Sequence, residues 1–227
     1  MILRKDIKME QIKRNNLNFN IRPNTLDEWI VDEVLTPSCY MNHLCINSDD
    51  IVLDIGMNIG VFSVIALQEG AEVVAFEPEA ENYAIAKSNI ELNNYTADIY
   101  QMGISNKEKQ ISLYLNNKKN RGNHSTTKFR GRSEIKINCA DINKVLKKRE
   151  FTKIKMDCEG EEYKIIMAVK TWMQIKKIRF EWHRRILQDE NNFLFTNMIE
   201  KLESDGFDVI AKRDGKGWTQ MITANKK

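Results

Sequence analysis

Two short segments of the sequence place acidic side chains at the ends of apolar runs. The run IVLDI (51–55) contains Asp54 and leads into Gly56-Met57-Asn58-Ile59-Gly60, and the run EVVAFE (72–77) ends in Glu77. Gly56 and Gly60 allow a sharp turn and a close approach of the backbone to a ligand. Asp54 could bind a ligand ammonium group, and Glu77, 17 positions after Gly60, could accept both hydroxyls of a ribose. These residues predict a nucleoside-binding site.

The glycine spacing bears on which nucleoside binds. The NAD fingerprint is G-x-G-x-x-G, whereas here the glycines read G-x-x-x-G and follow an acid. A pyrophosphate is favoured by helix N–H groups without a nearby carboxylate, so Asp54 suits a ligand that carries an amine. The sequence therefore favours S-adenosylmethionine. An NAD site and a turn needed only for packing remain as alternatives.

A second group of ionisable residues follows two later apolar runs. KIKMD (153–157) ends at Asp157, with Glu159 close behind it, and KIRFEWH (177–183) ends in Glu181-Trp182-His183. Strand alternation puts Glu181 and His183 on one face. With an unperturbed pKa near 6.5, His183 would be largely neutral at pH 7 and could act as general base for a hydroxyl acceptor. Asp157 is the rival base.

The same acids raise the question of a metal. Asp157, Glu159 and Glu181 could hold a divalent cation through hard oxygen ligands. Nothing in their spacing requires one, so the sequence alone predicts no metal site.

The elements that must position these residues alternate along the chain. Strands are predicted at 51–55, 72–77, 98–105, 153–157 and 177–183, mostly separated by helices, as in parallel β-α-β units. Two closing strands, 207–211 and 217–223, flank Asp214-Gly215, which favours a tight antiparallel hairpin. The sequence predicts an α/β sheet with an antiparallel edge.

Composition limits the class of protein. The chain has 227 residues, 42% hydrophobic and 30% charged, which indicates a soluble globular protein. No apolar run approaches the roughly 18 residues of a membrane span. Four cysteines without a C-x-x-C pair favour a reduced, cytoplasmic setting, and a net charge of +3 gives no argument for nucleic acid. We expect an N-terminal leader or helix over 1–30 and one domain over 31–227.

A basic segment, 116–132, lies between two further strand candidates. It holds six Lys or Arg residues, among them Arg121, and also His124. One interpretation is a solvated loop, and the other is a lid over the acceptor that contacts a phosphate or an acidic sugar. Only Phe129 interleaves with the charges, so a base-stacking platform for nucleic acid is poorly supported.

Four segments together resemble the FkbM family of methyltransferases: VLDIGMNIGVFSVIAL, AFEPEAENYAIAKSNIELN, GISN and KIKMDCEGEEYKII. The similarity runs from about Glu33 to His183, and the K-x-D-x-E-G-x-E stretch is its most distinctive part. It implies a Rossmann-like, seven-stranded, mostly parallel sheet and S-adenosylmethionine-dependent O-methylation, most often of a sugar or glycan hydroxyl. It also implies a cytoplasmic enzyme that can be fused to, or act with, glycosyltransferases.

The resemblance also assigns residues. Asp54, Gly56, Asn58 and Gly60 would border the methionine moiety, Glu77 with Pro78 the ribose, and Gly103 with Ile104 the adenine. Glu33 and Tyr40 would close over the cofactor, although a helix cap and a core tyrosine explain them equally well. Apart from the resemblance, the positions of the strand-end acids and of the basic segment lead us to expect that Asp157 contributes to both cofactor binding and catalysis. On the same grounds we expect Glu159, His124 and Arg121 to contact the acceptor.

Three other functions remain open at this stage. One is a methyltransferase of RNA or a nucleotide, another is a small-metabolite O-methyltransferase, and the third is a non-catalytic binding domain. The intact acids Asp54, Glu77 and Asp157 argue against the last.

Overall fold

The computed structural model describes residues 9–36, 39–116, 124–189, 191–213 and 219–227. Its strands are β1 (Glu10–Arg14), β2 (Leu17–Ile21), β3 (Ile51–Ile55), β4 (Glu72–Phe76), β5 (Asp98–Tyr100), β6 (Gly103–Ser105), β7 (Lys109–Leu115), β8 (Ser133–Asp141), β9 (Lys153–Met156), β10 (Lys177–Trp182), β11 (Phe207–Arg213) and β12 (Gln220–Lys226). Its helices are α1 (Asp27–Leu35), α2 (Met41–Leu44), α3 (Val61–Gln68), α4 (Ala80–Leu92), α5 (Ile142–Leu146), α6 (Glu162–Ala168), α7 (Arg184–Leu187) and α8 (Phe193–Ser204).

Seven strands form one sheet in the order β11-β12-β10-β9-β3-β4-β5. The five strands from β10 to β5 run parallel, and β12 is antiparallel to both β10 and β11. The predicted α/β sheet with an antiparallel C-terminal hairpin is confirmed, while the Asp214-Gly215 turn lies outside the described residues. Strand order reverses between β3 and β9, which is where a sheet of this type binds ligands.

Both faces of the sheet are covered, which explains the near-continuous apolar runs. Leu53 and Ile55 of β3 pack into one core cluster, whereas Val52 packs into the other. Among the described residues no helix is long and apolar enough to cross a membrane.

The predicted strand over 98–105 is wrong as a single element. The N–H of Met102 donates to the carbonyl of Tyr100, and this tight turn divides the run into β5 and β6. β5 is the edge of the main sheet, whereas β6 joins β8 and β7 in a separate three-stranded sheet. The small sheet therefore lies directly after the third parallel strand, next to the carboxyl edge of the main sheet.

The N-terminal segment also differs from the expected leader or helix. β1 and β2 form an antiparallel hairpin around Asn15 and Asn16, which both have positive φ. Alternate residues of β2 are buried, and Asn89 of α4 accepts a hydrogen bond from the backbone of Asn20. A buried ion pair between Arg22 and Asp27 follows the hairpin. The segment Leu17–Ile21 alternates apolar residues with asparagine, which is the pattern of a half-buried strand, and the sequence interpretation overlooked it.

Candidate active site

The turn after β3 brings the chain against the end of β9. Gly56 has φ +79°, and a Cβ placed on it would lie 1.8 Å from the carbonyl oxygen of Asp157. The N–H groups of Gly56 and Met57 donate to the carbonyl of Phe76 at the end of β4. Only glycine fits between these strand ends. Gly60 has φ +83° and faces α4, so it serves helix packing behind the cleft.

Asp54 lies fully buried behind the same turn. The Nζ atom of Lys155 lies 3.1 Å from its Oδ1 atom, and the Ser63 hydroxyl donates to Oδ2 at 2.7 Å. Burial opposes the charge of Lys155, but nearby carboxylates, that of Asp54 first, outweigh it and raise its pKa. The ammonium that was expected from a ligand is therefore supplied by Lys155. Lys155 also donates to the Gly56 carbonyl and lies over the Tyr40 ring at 5.6 Å.

A first cleft of about 650 Å³ opens beside the ends of β3 and β4. Glu77, Pro78, Gly103 and Ile104, all predicted to bind the cofactor, line it. His124 also lines this cleft, although it was predicted to contact the acceptor. The apolar walls include Ile55 and Phe76 from the main sheet. They also include three side chains of the small sheet, which the sequence interpretation missed: Ile111, Leu113 and Ile137.

Glu77 is the main polar group of the first cleft. Its Oε2 atom accepts the Asn58 N–H and its Oε1 atom accepts the Glu79 N–H, both at 2.9 Å. Burial raises the pKa of Glu77 to about 7, because its effect outweighs that of the two hydrogen bonds, which lower the pKa. Each carboxylate oxygen keeps a lone pair for a further donor.

A second cleft, of about 1150 Å³, adjoins the first. Gly56, Asn58, Asp157 and Glu159 line both clefts, so the two lie side by side. Four predicted residues line the second cleft but not the first: Glu33, Tyr40, Glu181 and His183. The Oδ1 atom of Asn58 is buried and accepts no hydrogen bond from the described residues.

Four carboxylates surround the imidazole of His183. Its Nδ1 atom lies 2.7 Å from Oε1 of Glu162, a fully buried residue. Its Nε2 atom faces Glu159 at 3.4 Å, Asp157 at 3.7 Å and Glu181 at 3.9 Å. The predicted convergence of the ends of β9 and β10 is thus present, and Glu162, which lies on α6, was missed.

The carboxylates change the charge of this cluster. Burial works against a charged His183, but Glu159 and Glu162 outweigh it and raise its pKa well above the ordinary value. The unperturbed pKa that the sequence interpretation assumed for His183 therefore does not apply in this cluster. Burial also raises the pKa of Glu159 and Glu181, and it raises that of Glu33 to about 7.

A third cleft, of about 970 Å³, opens on the far side of His183 and is rich in arginine. It is lined by Phe129, Arg130, Arg132, Arg185, Ile186 and Thr219 as well as His183. The guanidinium groups of Arg132 and Arg185 lie 5.0 and 5.6 Å from the centre of the Phe129 ring. The described part of the basic segment therefore borders the carboxylate cluster, as a lid would. Arg121 lies outside the described residues.

Comparison with known proteins assigns the family. The methyltransferase FkbM domain profile matches residues 54–209. The chain belongs to the FkbM methyltransferase family. The 31-O-demethyl-FK506 methyltransferase FkbM of Streptomyces tacrolimicus is 23% identical over 224 residues, which cover 82% of this chain and 84% of that protein.

Solved structures agree on the fold of this FkbM-family protein. The putative transferase PH0793 of Pyrococcus horikoshii aligns with a TM-score of 0.52 and 14% identity, covering 98% of this chain and 73% of that one. The tRNA (uracil-54, C5)-methyltransferase of Pyrococcus abyssi, in complex with S-adenosyl-L-homocysteine, aligns with a TM-score of 0.51 and 13% identity. There the alignment covers 95% of this chain but only 43% of that protein. The predicted family, Rossmann-like fold and S-adenosylmethionine-dependent methyltransferase class are confirmed.

Proposed function

We propose that this FkbM-family enzyme transfers a methyl group from S-adenosylmethionine to a hydroxyl of a saccharide, with acidic or phosphorylated saccharides preferred. The observation that carries the proposal is that three neighbouring clefts share lining residues. Asp157 and Glu159 line both the first and the second cleft, and His183 lines both the second and the arginine-rich cleft.

The residues of the first two clefts fit the cofactor. The lone pairs left on the Glu77 carboxylate suit the ribose hydroxyls, and the apolar walls near Ile104 suit an adenine ring. The unpartnered Oδ1 atom of Asn58 suits a donor such as the methionine ammonium group. When bound, S-adenosylmethionine supplies a methyl group activated by its sulfonium sulfur.

The acceptor end supports transfer to oxygen. A hydroxyl is a poor nucleophile while protonated, so the site needs a group that receives the proton. We assign that role to the cluster around His183, with the Asp157 carboxylate as the leading base. The name of the Streptomyces relative also places its methylation at an oxygen.

The arginine-rich cleft supports an anionic acceptor. Guanidinium groups bind carboxylates and phosphates in a bidentate manner, and Arg130, Arg132 and Arg185 line one cleft beside the cluster. A phosphate or uronic acid group held there would place a neighbouring ring hydroxyl toward His183. RNA is also anionic, but both guanidinium groups over Phe129 engage the ring that would stack on a base.

The test is a methyl-transfer screen with labelled S-adenosylmethionine. Glucose, glucuronic acid, glucose 6-phosphate, oligosaccharides and RNA are compared, with His183→Ala and Asp157→Ala beside the wild type. We expect transfer to saccharides, faster for acidic ones, and a loss of at least about 100-fold in both variants. Methylation of RNA and of no saccharide would contradict the acceptor assignment, and full turnover in both variants would contradict the role of the cluster.

A further inference from the structure

We propose that Asp157, Glu159 and His183 bind a divalent cation that holds the acceptor hydroxyl. One ligand atom from each residue, Oδ1, Oε2 and Nε2 respectively, lies within 4.8 Å of the other two. Ligand atoms about 2.0 to 2.3 Å from one cation lie roughly 3 to 4.5 Å apart, so this spacing needs little adjustment. The proposal rests on the proposed function only for the identity of the acceptor.

The orientation of the imidazole supports this assignment. The Glu162 carboxylate lies 2.7 Å from Nδ1 of His183, where it can accept the Nδ1 hydrogen, and it also accepts the Gly160 N–H. A carboxylate on the second ring nitrogen is the usual partner of a metal-ligating histidine, because it fixes the tautomer and the ring direction. Glu162 thereby points Nε2 of His183 at the carboxylates of Asp157 and Glu159. Glu162 is a positioning residue in this arrangement.

Two buried oxygen atoms give further support. The side chain of His183 is 6% exposed, so it is held within the protein with Nε2 facing the carboxylates. Oδ1 of Asp157 and Oε2 of Glu159 are buried and lie 3.7 and 3.4 Å from Nε2 of His183, but neither accepts a hydrogen bond from the described residues. Buried carboxylate oxygens that accept no hydrogen bond are costly, and a cation would coordinate both at once. Glu181 lies 3.9 Å from Nε2 and can serve as a fourth ligand or bind a coordinated water.

The chemistry of the ligands indicates the class of cation. Two carboxylates favour Mg²⁺ or Mn²⁺, and one imidazole favours a first-row transition metal, so Mn²⁺ meets both preferences. His183 borders both the second and the arginine-rich cleft, and the cation would therefore lie where the cofactor and acceptor regions meet. There it would orient the acceptor oxygen and lower the pKa of its hydroxyl.

Binding of Mn²⁺ to the metal-stripped protein tests the site without activity. Calorimetry and electron paramagnetic resonance should show one Mn²⁺ per chain. We expect Glu162→Gln to weaken binding by about 10- to 100-fold, and His183→Ala or Glu159→Gln to weaken it further. The matched control is Asp49→Asn, which removes an exposed carboxylate elsewhere and should leave Mn²⁺ affinity unchanged.

Thermal melting and S-adenosylmethionine binding of each variant show whether it has folded. Failure of the wild type to bind Mn²⁺ at millimolar concentration, or equal affinity in folded His183→Ala and wild type, overturns the proposal. Methyl transfer that survives exhaustive EDTA treatment also overturns it while leaving the proposed methyltransferase function intact. Absence of methyl transfer with normal Mn²⁺ binding would instead count against the proposed acceptor.

Discussion

Replacing Gly56 by alanine tests whether the turn after β3 must pack against the end of β9. The added Cβ would lie 1.8 Å from the Asp157 carbonyl oxygen, and real Cβ atoms essentially never come within 3.0 Å of a neighbour. One of the two backbone segments must therefore move by roughly 1.2 Å. The left-handed φ of +79° adds about 1 to 2 kcal/mol, and overpacking adds about 1 to 3 kcal/mol. We expect a loss of about 2 to 5 kcal/mol in the free energy of unfolding.

The control is Gly206→Ala. Gly206 has a similar φ of +87°, but its Cβ would meet only the flexible end of Lys226, at 3.5 Å or more. This variant should lose only the conformational part, about 1 to 2 kcal/mol. Urea unfolding gives both values, and calorimetry of Gly56→Ala with S-adenosylmethionine should show at least about tenfold weaker binding. Equal losses of stability in the two variants would refute the reasoning, because the steric contact would then cost nothing.

Other predictions concern buried charges. Glu77 has a pKa of about 7 when folded against 4.5 ordinarily, so the native state holds its proton more tightly. The stabilisation by the protonated Glu77 side chain is fully present below pH 4.5 and is lost as the pH rises through 7, by about 3 kcal/mol in all. Glu77→Gln should therefore reduce the fall in the free energy of unfolding between pH 5 and 8. If the pH dependence of that free energy is the same in the variant and the wild type, the raised pKa of Glu77 is contradicted. Lys155→Met should lower the free energy of unfolding by about 3 to 5 kcal/mol, because it leaves the Asp54 charge buried without its partner. The double variant Lys155→Met, Asp54→Asn should recover much of that loss. Equal losses in the single and double variants would rule out the buried ion pair. Arg22→Lys should lower the free energy of unfolding by more than about 1.5 kcal/mol, because its bidentate pair with Asp27 is buried. Arg14→Lys should lower it by less, because the pairs of Arg14 with Glu28 and Asp32 lie at the surface. Urea unfolding that gives equal losses for the two variants would contradict this.

The predictable part of the site is the part whose residues lie close together in the sequence. The apolar run of β3, the glycine turn and the acid at the end of β4 lie within 27 residues, Ile51 to Glu77, and their order along the chain fixes their place at one sheet edge. The convergence of Asp157 with His183 was also predictable, because the carboxyl ends of neighbouring parallel strands meet.

The rest depends on contacts between distant segments. Lys155 pairs with Asp54 across neighbouring strands, and nothing in either segment shows that this pair is made inside the protein. Glu162 looks like an ordinary acid in the first turn of a helix, yet it orients His183 from 21 residues away. The pKa of His183 depends on carboxylates that come from several elements, so the ordinary pKa of a histidine was a poor guide to it. The apolar cleft walls supplied by β7 and β8 were not predicted. The turn at Met102 separates β6 from β5 and so starts the small sheet, and the sequence interpretation treated 98–105 as one strand.

We propose that the cleft beside Glu77 binds the methyl donor, and calorimetry with S-adenosylmethionine measures this binding directly. We expect one bound S-adenosylmethionine per chain. We also expect at least about tenfold weaker binding to Glu77→Ala, since hydrogen bonds to a charged acceptor contribute about 1.5 to 3 kcal/mol. Absence of binding to the wild type, or equal affinity of wild type and a folded Glu77→Ala variant, would contradict it.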